Sequence, residues 1–384
     1  MRTLLAIACL SILVHAGEFD GATADTRRWA HPRGPASRSC VSAARAPESL
    51  GDPRWTMKLH SELNFAPLTW DGIGYVLLGD VLVGVNLDTG KRIAGKKVGD
   101  VQAAALGNGA VFLRVGPKLV QWRRARTSFR RQWIVEVGAD ASAPCIHEGE
   151  IYLTAQGKTV RLRPGRDKPA WKEGDGAFGA PALYGEHVYS LEQSGEKAFL
   201  VARARLDGRE AIRVGVGRGG KTGLVAVNRL NVCVRIGERW ILLSRESKNG
   251  KLSIRGPWEV PYTQAPLVYS RSTIGFAQKM HTYVRFRKRK GKNEQRVMVN
   301  PKTREDLLLG TGAPIALGEH FCTGLWCANL NSNRIIWHLH ERSSKPLLKQ
   351  GVAFHPVPAG DDRLLLVARN KKSIVCIQPE VIGG

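Results

Sequence analysis

Short apolar runs alternate with polar turns along most of the chain, and this pattern recurs about every forty residues. Each repeat opens with a short extended segment, passes through a turn of Gly with Asp, Glu, Asn or Arg, and continues into a run rich in Val, Ile, Leu and aromatic residues. Short apolar runs bounded by turn residues are typical of β-strands, and periods of this length are typical of propellers and solenoids. The repeats begin at Ala66, Ala103, Ala143, Ala180, Leu224, Ala265, Ala313 and His355.

A second hairpin follows the apolar run in several repeats. In the clearest example, the strand Val81 to Leu87 leads into the turn Asp88-Thr89-Gly90, and a return strand starts at Lys91. Three or four strands per repeat, without helical periodicity, predict an all-β fold in which each repeat is one four-stranded propeller blade.

The segment DPRWTMKLH, residues 52–60, precedes the first repeat and predicts a lone strand. In a propeller, such a strand completes the last blade and closes the ring, which removes an open sheet edge. We therefore expect a propeller over residues 54–384 with eight blades. Seven blades are the alternative, because the second and fifth repeats match the pattern poorly.

The turn sequence Val85-Asn86-Leu87-Asp88-Thr89-Gly90-Lys91 resembles the PQQ-like (quinoprotein-like) β-propeller repeat. The hallmark of that family is an Ala/Val-x-Asp-x-x-Thr-Gly-Lys turn with a return strand that often ends in Trp, as at Trp171 and Trp337. The resemblance covers about residues 54 to 380. It implies either a quinone-dependent dehydrogenase or a non-enzymatic propeller such as the outer-membrane-protein assembly lipoprotein.

Two departures from the enzymes of this family favour the non-enzymatic type. Those enzymes stack the quinone under a disulfide of two adjacent cysteines and use a calcium-bound aspartate region. This sequence has no adjacent Cys pair and no evident cluster of hard-cation ligands. We expect no cofactor, metal or catalytic residue, and we interpret the chain as a binding or assembly scaffold. A degenerate PQQ-dependent oxidoreductase and a surface polyanion-binding propeller are the alternatives.

The N-terminus predicts export. Arg2 precedes an apolar run from Leu4 to Val14, which is typical of a secretory signal peptide. Cleavage fits after Ala16, with Ala24 as the alternative, and residues 17–53 are expected to form a flexible linker. The sequence has no second long apolar segment, so we expect no membrane span. We expect a monomer in the periplasm or outside the cell.

The net charge of +25 predicts attraction to acidic partners, although a generally basic composition explains it equally well. One cluster of candidate contacts lies in a predicted hairpin between Tyr283 and Arg296: Arg285, Arg287, Lys288, Arg289, Lys290 and Lys292. A second comprises Arg123, Arg124 and Arg126, near Arg130 and Arg131 and flanked by Trp122, Phe129 and Trp133. Basic residues with interleaved aromatics suit an acidic polymer or nucleic acid, but a solvated outer face with core tryptophans is the ordinary alternative. We favour a protein partner or an acidic envelope polymer over nucleic acid.

Two further motifs need an interpretation. Removing the signal peptide leaves six cysteines, of which Cys322 and Cys327 are the best candidate disulfide. The stretch GVGRGGKT, residues 215–222, matches the phosphate-binding loop pattern, but that loop must open a helix. The residues that follow are rich in β-branched types, which predicts a glycine-rich connector between the fourth and fifth blades. Positive φ angles are expected to be accessible at Gly215, Gly217, Gly219 and Gly220.

Overall fold

The computed structural model describes residues 41–42 and most of residues 53–378. The gaps within the second range are 221, 249–250, 261–266, 270–271, 278–281, 290–291, 300–314, 318–319, 324–325, 330–331, 333–334, 339–351, 354–355, 361–362 and 369. The described residues form strands and turns without a helix. Within them, no helix is long and apolar enough to cross a membrane.

The described strands fall into eight successive antiparallel units, which we number in chain order and whose strands we call a to d. Unit 1 comprises Leu68–Trp70, Ile73–Leu78, Val81–Asn86 and Arg92–Lys97. Unit 2 comprises Val101–Gly107, Ala110–Val115, Lys118–Ala125 and Ser128–Glu136. Unit 3 comprises Cys145–His147, Glu150–Ala155, Lys158–Leu162 and Trp171–Glu173. Unit 4 comprises Ala177–Tyr184, His187–Ser194, Lys197–Ala204 and Glu210–Arg218.

The remaining units follow the same antiparallel order. Unit 5 comprises Gly223–Val227, Asn231–Ile236, Arg239–Lys248 and Lys251–Val260. Unit 6 comprises Leu267–Tyr269, Ser272–Ala277, Thr282–Arg289 and Lys292–Val299. Unit 7 comprises Ile315–Leu317, His320–Cys322, Trp326–Asn329 and Ile335–His338, and Val41–Ser42 pairs in parallel with its a strand. Unit 8 comprises Val357–Pro358, Leu364–Val367 and Ser373–Ile377, with Pro53–Lys58 as its d strand.

The N-terminal strand closes the ring as the sequence predicted. Pro53–Lys58 pairs antiparallel with Ser373–Ile377, so the first described long strand completes the last unit. On the inner side, the Thr69 hydroxyl donates a buried 3.0 Å hydrogen bond to the Pro358 carbonyl, which joins the a strands of units 1 and 8. The predicted all-β propeller is therefore confirmed. Units 4 and 5 share a parallel pair, Ala180 with Leu224, and form one eight-stranded sheet, so the number of blades stays a prediction.

The hydrophobic core lies between consecutive units. Leu68 and Tyr75 of unit 1 pack with Leu106 and Val111 of unit 2. Similar buried clusters join units 2 and 3, 3 and 4, 4 and 5, and 5 and 6, while a larger one joins units 7, 8 and 1. Each unit buries its apolar residues only against its neighbours, which explains why the sequence repeats at the period of one unit.

Candidate functional site

Both predicted basic clusters lie at the same end of the strands. We call this end the a–b face, because the a strand of each unit ends there and its b strand begins there, and we call the other end the opposite face. Arg123, Arg124 and Arg126 lie at the tip of the c–d hairpin of unit 2, where Ala125 pairs with Ser128. The hairpin of unit 6 reaches the same face, because Arg289 of its c strand pairs with Lys292 of its d strand. The topology therefore places both clusters on one face, although they belong to units that are not neighbours.

The unit 2 arginines are exposed and carry no counter-charge. Arg123 donates a 3.0 Å hydrogen bond to the Asn108 carbonyl, and Arg124 makes only a long contact, 3.5 Å, with the Arg126 carbonyl. Within the described part of the chain, Arg123, Arg124 and Arg126 form no ion pair, and neither do Arg130 and Arg131. Their charges are therefore available to a partner.

The aromatic residues beside these arginines belong to the core. Phe129 is buried in the cluster between units 1 and 2, and Trp133 is buried between units 2 and 3. Trp122 is half-buried against the first of these clusters. Buried rings have no free face on which bases can stack, so this surface offers charge without an aromatic platform. The structure therefore supports the alternative in which these aromatic residues are core residues that pack between the units.

The unit 6 hairpin is described more sparsely. Arg285, Arg287, Lys288 and Arg289 lie on its c strand, and Lys292 begins its d strand, whereas Lys290 lies outside the described residues. Arg285 is half-buried and already interacts within the chain. Neighbouring Phe286 packs on the core of unit 5 and so fixes this strand on its neighbour. Lys292 and Asn293 belong to the return strand, where they pair with Arg289 and Lys288.

Three ion pairs lie on the opposite face. Lys97 lies 2.9 Å from Asp80, Lys158 pairs with Asp175, and Arg218 lies 3.7 Å from Glu196. Salt bridges at exposed sites contribute little to stability, but they do balance the local charge. Lys118 and Lys197 of this face form no ion pair among the described residues, so both ends of the propeller carry unpaired cations.

Ion pairs also occur on the a–b face. Arg363 of unit 8 lies 2.7 Å from Asp88 of unit 1, and a larger network lies where units 3 and 4 meet. Arg161, which is buried, donates to the Glu150 carboxylate and to the carbonyls of Arg205 and Leu206. Burial opposes ionisation of Glu150, but hydrogen bonds from Arg161 and Arg163 outweigh it and lower the pKa of that carboxyl. This network ties the two units together and leaves little charge for a partner.

A cleft of about 670 Å³ opens on the a–b face between units 4 and 5. Its walls come from the a–b turns of both units and from the end of the c strand of unit 5: Tyr184, Gly185, Glu186, His187, Arg229, Leu230, Arg245, Glu246 and Ser247. Sequence reasoning missed this site. The only available signal was a charged residue, Arg245, two positions after the apolar run Ile241 to Leu243.

Arg245 forms the centre of the cleft. Its guanidinium lies 4.6 Å from the Tyr184 ring centre, and its Nε donates a 2.6 Å hydrogen bond to the Tyr189 hydroxyl. Its Nη1 donates a 2.8 Å bond to the Arg229 carbonyl. Burial and then the charge of Arg245 lower the pKa of nearby His187, an effect that Glu186 partly offsets. Both effects favour a neutral imidazole beside a fixed positive charge.

The stretch GVGRGGKT does not form a phosphate-binding loop. Gly215 to Arg218 complete the d strand of unit 4, and Gly223–Val227 is the a strand of unit 5. A strand therefore stands where the phosphate-binding motif requires a helix. Lys221 lies outside the described residues. Positive φ angles were expected to be accessible at four glycines of this stretch. Of these, Gly217 alone adopts one, of 99°.

The described cysteines are all buried. Cys322 and Cys327 are cross-strand neighbours in unit 7 with Cα atoms 4.1 Å apart, and a disulfide joins them. Cys145, Cys233 and Cys376 lie in strands and are not disulfide-bonded. Among the described residues, no group of three or more His, Cys, Asp or Glu is arranged to hold a metal ion.

Comparisons with known proteins show the fold alone. No family model matches the chain, and no curated protein matches it. Among solved structures, BamB from Moraxella catarrhalis superposes with a TM-score of 0.58 at 14% identity, over 86% of this chain and 100% of that one. A europium-containing methanol dehydrogenase gives a TM-score of 0.56 at 10% identity, over 91% of this chain and 89% of that one. Both likenesses agree with the propeller fold that the repeat resemblance implied, while membership of the repeat family stays a prediction.

Proposed function

We propose that the protein is an exported, non-catalytic propeller that serves as a binding or assembly scaffold in the cell envelope. It recognises an acidic partner through its a–b face. The observation that carries the proposal is the group of exposed arginines at the tip of unit 2, none of which forms an ion pair within the described residues.

Exposed, unpaired arginines suit this role for a physical reason. A surface with excess positive charge attracts an acidic partner over distances of about 8 Å at physiological ionic strength and raises the association rate. Arg123, Arg124 and Arg126 make few contacts with their own fold, so their guanidinium groups remain free to form bidentate bonds with carboxylates. The unit 6 hairpin would add a second basic edge to the same face.

The chemistry of the partner follows from what this face lacks. A surface that reads single-stranded nucleic acid combines charge with exposed stacking rings, but Phe129 and Trp133 are buried. An acidic protein segment needs only charge and backbone complementarity. We therefore favour a protein partner, with an acidic envelope polymer as the alternative.

The test is capture from an envelope extract by the immobilised mature chain. The control is an unrelated folded protein of matched net charge. Saturable retention of a protein by this chain alone supports the scaffold. Retention of acidic polymer without protein favours the polyanion-binding alternative, and retention no greater than the control's contradicts both.

The oxidoreductase alternative has a separate test. Pyrroloquinoline quinone with Ca²⁺ should leave the melting temperature of the scaffold unchanged, because a ligand that does not bind the folded state adds no stability. A clear concentration-dependent rise would contradict the non-catalytic proposal.

A further inference from the structure

The cleft between units 4 and 5 holds a buried positive charge without a balancing negative one. Arg245 is only 4% exposed. Within the described part of the chain it forms no ion pair, and its hydrogen bonds go to two neutral oxygens, the Tyr189 hydroxyl and the Arg229 carbonyl. Burying an unpaired charge costs several kcal/mol, roughly, so buried charges in proteins are normally paired. This departure points to a ligand that supplies the missing anion.

Arg245 lines the cleft and keeps N–H groups that its two hydrogen bonds do not use. A guanidinium has five N–H groups, and the two hydrogen bonds of Arg245 use one on Nε and one on Nη1. The remaining N–H groups belong to the Nη1 and Nη2 atoms, the pair that binds carboxylates side by side. The Tyr184 ring holds the guanidinium plane from one side, which orients it without neutralising it.

The other charged groups around Arg245 define the charge of the ligand. Arg229, Glu186 and Glu246 are exposed at the rim, and Glu186 lies 3.7 Å from Arg205. His187 lines the wall with a lowered pKa and so adds no charge near neutral pH. The rim carries two carboxylates and one guanidinium, a net charge of −1, which disfavours a dianion, while Arg245 favours one negative charge. A singly charged carboxylate fits this balance better than a phosphate.

The size and lining of the cleft indicate the rest of the ligand. Its volume of about 670 Å³ falls within the range of small-molecule sites. Tyr184 and Leu230 provide apolar surface beside the guanidinium, and Ser247 lies at the open edge. A compact apolar body, such as an aromatic ring, would fill this space.

We propose that this cleft is a binding site for a small monoanionic carboxylate, whose oxygens accept hydrogen bonds from the free N–H groups of Arg245. The site is independent of the scaffold function, because none of the unit 2 arginines lines it. The cleft binds one ligand per chain, whereas the basic face attracts its partner through the combined charge of several side chains.

The experiment is calorimetric titration of the full mature chain with benzoate, with benzamide as the neutral control of the same shape. Saturable one-to-one binding of benzoate and none of benzamide is expected. Arg245→Gln should weaken benzoate binding by about tenfold or more, since it removes a charge-assisted hydrogen bond. Arg239→Gln, at the other end of the same strand, should leave it unchanged.

Since Arg245→Gln also removes buried hydrogen bonds within the fold, a second variant keeps the guanidinium. Ser247→Trp narrows the open edge of the cleft and should also abolish binding. Equal binding of benzoate and benzamide, tighter binding of phenyl phosphate than of benzoate, or unchanged binding in folded Arg245→Gln or Ser247→Trp protein would each overturn the proposal. So would the absence of saturable benzoate binding by the wild type.

Discussion

The indole ring of Trp55 packs directly against Gly90, so the closing strand is locked onto unit 1. The Trp55 Nε1 donates a 2.9 Å hydrogen bond to the Leu87 carbonyl, at the start of the turn that contains Gly90. Unit 3 repeats this relationship on unit 4, where Trp171 donates a 2.9 Å bond to the Arg205 carbonyl and its ring covers Gly208. A tryptophan on the d strand of one unit thus holds the c–d turn of the next.

Gly90→Ala should therefore destabilise the protein more than an ordinary turn substitution. An added Cβ would lie 2.5 Å from the Trp55 ring, and the φ of 69° at this position already disfavours a side chain. Gly79→Ala is the matched control, because Gly79 also has a positive φ, of 57°, but open space around it. Urea unfolding should show the Gly90 variant about 1–3 kcal/mol less stable than the Gly79 variant. Equal stabilities would show that the tryptophan contact is unimportant.

The buried carboxylate in unit 4 predicts a larger effect. Glu192 is 1% exposed and accepts hydrogen bonds from Arg203 and Arg213. Glu192→Ala leaves buried Arg203 without its principal counter-charge, and the expected loss is about 3–5 kcal/mol of unfolding free energy. Glu196→Ala removes an exposed pair with Arg218 in the same unit and should cost less than about 1 kcal/mol. If both substitutions have similar small effects, the carboxylate does not hold the guanidinium groups as described.

Two half-buried histidines predict a loss of stability on mild acidification. Burial lowers the pKa of each imidazole below its usual 6.5. The charge of Arg245 lowers the pKa of His187 further, and the charge of Arg205 does the same for His147, while nearby glutamates partly offset these effects. Their stabilising effect is present above the unfolded-state pKa and is lost as pH falls through the folded-state value. Melting temperatures between pH 7.5 and 5.5 should fall less in His187→Gln than in the wild type. An unchanged pH dependence in that variant would contradict this assignment.

The cysteines predict a distinctive pattern of chemical labelling. Burial raises the pKa of the Cys376 thiol to about 11, and Cys145 and Cys233 are also buried. A thiol that remains protonated and inaccessible reacts slowly with iodoacetamide. Peptide mapping should therefore find these three cysteines labelled only after unfolding, and Cys322 linked to Cys327 until a reductant is added. Rapid labelling of Cys376 in the native protein would contradict its placement.

The fold could be predicted from the sequence because each unit packs only on its neighbours and so repeats one local pattern. The a strands begin within three residues of the positions at which the repeats were predicted to start. The turn Asp88-Thr89-Gly90 was recognisable, but its contact with Trp55 depends on ring closure, which only the folded chain shows.

The candidate sites were less predictable than the fold. The unit 2 arginines were found as a run of charge, whereas the burial of Phe129 and Trp133 depends on which side of the strand faces the next unit. The cleft could not be predicted, since Tyr184 and Arg245 lie in different units and meet only through the packing of those units.

The most direct test of the scaffold proposal compares the two faces at constant net charge. Arg123, Arg124 and Arg126 are replaced by Ser in one variant, and Lys118, Lys172 and Lys197 of the opposite face are replaced by Ser in the other. Each variant loses three positive charges, and each is immobilised to capture the partner from an envelope extract, with the captured amount measured by mass spectrometry. We predict that the arginine variant loses most of the binding and the lysine variant retains it. Equal retention, or equal loss, would contradict recognition through the a–b face.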